Sequence, residues 1–140
     1  MAVTETSLSA GRIVRELLLA SENVTAITST VYPVVADEAV LPYIVYRRTA
    51  LSQTATKSGQ FGADSIRVDV VCYASSYGES VALAEAVRGA LDCVAGDSEG
   101  LVLRSCYLED AEELWESDAF VQSMTFKLSI YGEQENENNT

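Results

Sequence analysis

From Phe120 to Tyr131 the chain alternates with a period of two, which fits a strand and no helix. Phe120, Met124, Phe126, Leu128 and Ile130 fall on one side, with Gln122 as the one polar interruption. Val121, Ser123, Thr125, Lys127, Ser129 and Tyr131 fall on the other. Successive side chains of a strand point to opposite faces, so this stretch has one face for a core and one for another environment. Residues 66 to 73 repeat the pattern, with Ile66, Val68, Val70 and Cys72 set against Arg67, Asp69, Val71 and Tyr73. Residues 101 to 107 repeat it more weakly, and Tyr43 to Arg48 is apolar and β-rich after Pro42.

Two segments carry helical spacing instead. Ile13, Val14, Leu17 and Leu18 form an apolar stripe that Ser7 or Ser9 could cap. Leu83, Val87, Ala90, Leu91 and Val94 form a second. Ser76 and Glu79 have the spacing of a capping box before it, and Gly96 is placed to end it. Between the first helix and first strand, residues 22 to 41 predict a helical turn near Val24 to Ile27, then an extended loop punctuated by Pro33 and Pro42.

The expected fold class is therefore α+β: a four-stranded antiparallel sheet of two hairpins, two helices packed on one face, order α-β-β-α-β-β. One domain over residues 1–132 and a polar acidic tail over 133–140 account for the 140 residues. The connection from Thr49 to Asp64, with Gly59 and Gly62, reads either as a floppy loop or as an arm that orders against a partner. Gln53, Thr54, Lys57, Gln60 and Phe61 are the candidate interface residues there.

Nine Lys and Arg against 21 Asp and Glu leave a net charge of −12 and a pI near 4.2. That balance opposes general nucleic-acid binding and docking on anionic lipid, both of which need cations. There is no histidine, so Ser-His-Asp and Cys-His catalysis and His-ligated zinc drop out. Cys72, Cys93 and Cys106 are odd in number and lack metal-site spacing, and read as reduced thiols. The first residues carry no signal-peptide pattern, and no apolar run is long enough to span a membrane. No phosphate-loop, dinucleotide or nucleophile-elbow motif occurs, and the acidic residues do not follow an EF-hand. The expectation is a non-enzyme without cofactor or metal.

The charge is unevenly placed. Through residue 91 there are nine acidic and seven basic side chains, and from residue 92 onward twelve and two. The run Glu109, Asp110, Glu112, Glu113, Glu116 and Asp118 reads as a solvated connection between the last two strands. It could also meet a basic partner surface. Trp115 inside it either covers the sheet edge or anchors an interface, and is the sixth candidate interface residue.

An N-terminal helix, the segment Val31-Tyr32-Pro33, the segment Leu41 to Tyr46, the strand Arg67 to Ala74 running straight into an Ala-rich helix, and two closing strands together resemble the tail-completion family of long-tailed bacteriophages. The likeness spans roughly Leu8 to Tyr131. It implies a structural protein of a phage or prophage, the tail terminator or tail-to-head joining protein. Such a protein forms a homo-oligomeric ring, usually a hexamer, on the head-proximal end of the tail tube, stops tube polymerisation and meets the head–tail connector. DNA passes through without specific binding. The implied location is the neck of the virion tail, with assembly in the host cytoplasm. A connector or neck adaptor of the same particle, and a cytosolic non-enzymatic α+β binding module, are the alternatives.

Overall fold

The computed structural model describes residues 6–53, 63–98 and 100–132. After a 3-10 turn over Ser7–Ser9 come α1 (Ala10–Ala20), α2 (Glu22–Thr25), β1 (Val31–Pro33), β2 (Tyr43–Ser52), β3 (Asp64–Ala74), α3 (Tyr77–Leu91), β4 (Gly96–Ser98), β5 (Leu101–Glu116) and β6 (Ala119–Gly132).

The strands form one curled, six-stranded mixed sheet in the order β1-β2-β3-β6-β5-β4. This corrects the four-stranded antiparallel sheet with order α-β-β-α-β-β. β1 runs parallel to β2, Val31 beside Ile44 and Pro33 beside Tyr46, so the sheet is mixed. β4 adds the sixth strand by pairing Gly96–Ser98 with Leu101–Leu103. Both added strands are three residues long, too short to show a period.

The acidic run is also not a connection. It is the second half of β5, paired with β6 until Glu116 faces Ala119. The reversal is made by Ser117 and Asp118, at φ 54° and 59°. Positive φ at both central residues is the geometry of a type I′ hairpin, whose twist matches that of the flanking strands. Acidic residues have little preference for strands, but here they lie on an exposed edge and keep their charges in water.

One face of the sheet builds the core. Ile66, Val68, Val70 and Cys72 of β3 and Met124, Phe126, Leu128 and Ile130 of β6 pack with Ile13, Val14 and Leu18 of α1 and Leu83, Val87 and Leu91 of α3. Phe126 is fully buried on a central strand. Burying a side chain of this kind contributes roughly 1.5–3 kcal/mol.

The helix ends show where short-range chemistry acts. The Thr6 hydroxyl, not Ser7 or Ser9, accepts the Leu8 N–H at 3.3 Å and caps the first turn. Ser7 instead donates to the carbonyl of Ile130, fastening this turn to β6. Ser76 caps α3 by accepting the Glu79 N–H at 3.2 Å, while the Glu79 carboxylate reaches back to the Ser75 N–H. α3 stops at Leu91, before Gly96. Cys93 takes the left-handed conformation, φ 63°, in the place a glycine usually fills, and Gly96 opens β4.

Candidate assembly surface

The two sides of the sheet are only partly closed. On the first, β1 covers β2 at Ile44–Tyr46 alone. Pro33 has no N–H to offer, and Val34, at φ 66°, gives its N–H to the Tyr46 carbonyl at 2.8 Å as the chain turns away. Past that bond, no described strand pairs with Arg47–Ser52 on its outer side. On the second side, β4 covers β5 at Leu101–Leu103, the Cys93 N–H and the Asp92 carboxylate hold the Cys106 carbonyl and the Leu108 N–H, and no described strand covers β5 from Glu109 to Glu116.

The open part of β2 begins with Arg47 and Arg48, both exposed. Beside it lies a cleft of about 500 Å³ between the start of α1, the end of β1 and β2. Its wall carries Arg12 and Arg15 from α1, Arg47 and Arg48 from β2, and the exposed apolar residues Leu8 and Val34. Arg12 Nη2 donates to the Ser98 carbonyl at 2.8 Å and so ties β4 to the helix layer. The Tyr46 phenol is pushed up by burial, an effect the Arg15 charge opposes.

The open part of β5 is acidic. Glu109 stands at a bulge and takes two hydrogen bonds from Arg67, Nε to Oε1 at 2.7 Å and Nη2 to Oε2 at 3.1 Å. These bonds hold its carboxyl below the usual range. Glu113 accepts from the Tyr77 hydroxyl at 2.6 Å and from Gln122 Nε2 at 3.0 Å, and its carboxyl is lowered as well. Gln122, the polar break in the apolar face of β6, also donates to Ser80 Oγ. Asp110, Glu112, Glu116 and Asp118 have no salt bridge among the described residues.

Trp115 is 61% exposed and packs edge-on against Phe120, with ring centroids 4.9 Å apart. Phe120 in turn meets Tyr77 edge-on. On the face away from the helices, Tyr43 stacks on Tyr73 at 4.6 Å, and burial raises both phenols, helped by the nearby Glu116 charge.

Among the candidate interface residues of the arm, Gln53 is exposed, one position past β2, while Thr54, Lys57, Gln60 and Phe61 lie outside the described residues. Gln53 and Trp115 are not brought together. Ser52 pairs with Ser65 at one end of the strands, and Trp115 pairs with Phe120 at the other. The arginine-lined cleft and the open stretch of β2 escaped the sequence reading; the available signal was the Arg47-Arg48 pair closing an otherwise apolar segment. No cluster of three or more potential metal ligands occurs among the described residues. Among the described residues, no helix is long and apolar enough to cross a membrane.

In comparisons with known proteins, residues 12–132 match the family model of tail completion protein gp17. No curated protein matches the sequence. Among solved structures, a chain from the virion of a native gene transfer agent particle superposes with a TM-score of 0.73 at 17% identity, over 85% of this chain and 92% of that one. At that identity the likeness is one of fold.

Proposed function

This chain belongs to the tail completion protein gp17 family, and we propose that it works as a collar at the junction of tail and head in a phage-like particle. Tail completion is structural work, so the relevant features are surfaces and not reacting groups. Several copies, six being the number the family resemblance implies, close into a ring on the head-proximal end of the tail tube. The ring ends the addition of tube subunits and offers its other side to the head–tail connector. DNA crosses the ring without being held. Six copies of −12 give a collar near −72, which repels a polyanion within a Debye length of about 8 Å.

The observation that carries this reading is the match over residues 12–132, which runs from α1 to the end of β6 and so takes in the whole sheet. The placement of Gln53 and Trp115 at opposite ends of the strands supports it, since a collar needs one side for the tube and another for the head. In the particle the chain then sits at the neck, after assembly in the host cytoplasm.

The test is to mix the purified protein with isolated tail tubes and, separately, with tail-less heads. Caps on tube ends and arrest of tube growth are expected. Binding to heads alone would replace this reading with a connector or neck adaptor, and binding to neither would return the chain to the class of unrelated binding modules.

A further inference from the structure

The two open sides of the sheet differ in charge. Arg47 and Arg48 begin the open stretch of β2, and Asp110, Glu112 and Glu116 line the open stretch of β5. One pair of these charges also stands level. Arg47 pairs with Asp69, Asp69 with Thr125, and Thr125 with Asp110, so Arg47 and Asp110 end the same lateral row.

We propose that the β2 edge of one copy pairs with the β5 edge of the next, so that the sheet continues from subunit to subunit around the ring. The proposal rests on the collar reading above and names the surfaces that close it.

Three physical arguments favour this occupant over others. The first is direction. Three antiparallel pairings separate β2 from β5, so the two strands run oppositely. Continuing the sheet with a second copy therefore places its β2 antiparallel to β5, and the alternation is unbroken. On β5 the segment after α3 already holds the Cys106 carbonyl and the Leu108 N–H, through the Cys93 N–H and the Asp92 carboxylate. The ladder hydrogen bonds gained are therefore those of β5 beyond Leu108 and of β2 beyond Tyr46, where no described strand lies outside.

The second argument is charge. Two β5 edges repel through their carboxylates, and two β2 edges repel through their guanidinium groups. Only the mixed pairing is attractive, which selects a head-to-tail contact over a two-fold dimer. The third is the cleft beside Arg47 and Arg48. Its exposed Leu8 and Val34 are matched by the exposed Leu114 and Trp115 near the end of β5. The curl of the sheet turns each copy relative to the last, as a closed ring rather than a straight fibre requires.

The experiment uses the full chain and two variants. Arg47→Glu/Arg48→Glu makes both edges acidic, and Asp110→Arg/Glu112→Arg/Glu116→Arg makes the second edge basic. Circular dichroism melts confirm that each variant folds. Sedimentation velocity and negative-stain images of capped tail tubes report ring formation. Each variant alone is expected to lose the ring species, and an equimolar mixture to regain it, because each basic edge then faces an acidic one. Rings formed by either variant alone, or no recovery on mixing, would overturn the edge pairing while leaving the collar intact. A wild-type chain that forms no ring, alone or on tubes, would overturn the collar reading and the edge pairing together.

Discussion

Arg67 on β3 and Glu109 at the bulge of β5 are joined by two hydrogen bonds that reach over β6, the strand between them. The pair fixes where the exposed edge of β5 is held against the sheet. Both side chains are substantially exposed, at 43% and 32%, so water and salt weaken the attraction.

The carboxylates of Glu109, Glu113 and Asp92 are all held below their usual values, chiefly by hydrogen bonds from Arg67, Tyr77 and the Leu108 N–H respectively. A lowered folded-state value means stability that is complete above the ordinary carboxylate range near pH 4 and is lost as pH falls through the lowered value. The melting temperature should therefore stay level from neutral pH to about pH 5 and drop below pH 4. In Glu109→Gln/Glu113→Gln the acid drop should be shallower, measured by thermal melts across pH at low salt.

Phe126 is fully buried on a central strand and packs into the single core cluster. Phe126→Ala should cost about 3–5 kcal/mol through lost transfer energy and the cavity left behind. Set against a total of roughly 5–15 kcal/mol, that is a large share. Chemical denaturation should show a lower midpoint with an unchanged slope.

Ser76 satisfies the Glu79 N–H at the exposed start of α3. Ser76→Ala should lower stability by about 0.5–2 kcal/mol, and Ser76→Gly by less, because glycine leaves the N–H open to water. Ser9→Ala should change little, since Ser9 makes no side-chain cap bond at the start of α1. Equilibrium unfolding of the three variants checks the contrast.

Burial pushes the Cys72 thiol far above its ordinary value and the Cys106 thiol up to about 12, whereas Cys93 is exposed. The thiolate is the reactive form. A thiol reagent at neutral pH should therefore label one site per chain quickly, and the other two only on unfolding. Cys93→Ser should remove the fast phase, read by absorbance or intact mass.

The local patterns of the chain were sufficient to find α1, α3, β3 and β6. Each buries one stripe or one face, and burial writes its period into consecutive residues such as Ile66, Val68 and Val70. Family membership followed from the order of these segments with the Val31-Tyr32-Pro33 and Leu41–Tyr46 pieces. The sheet's extent did not follow. β1 and β4 are three residues long, and their place depends on partners far along the chain, which no short window contains. The second half of β5 lies on an open edge where neither side chain face is enclosed, so nothing forced Glu109–Glu116 to alternate. Folding in three dimensions alone set a basic strand and an acidic strand at opposite sides of one curled sheet, because lateral order arises from hydrogen bonds between residues distant in sequence.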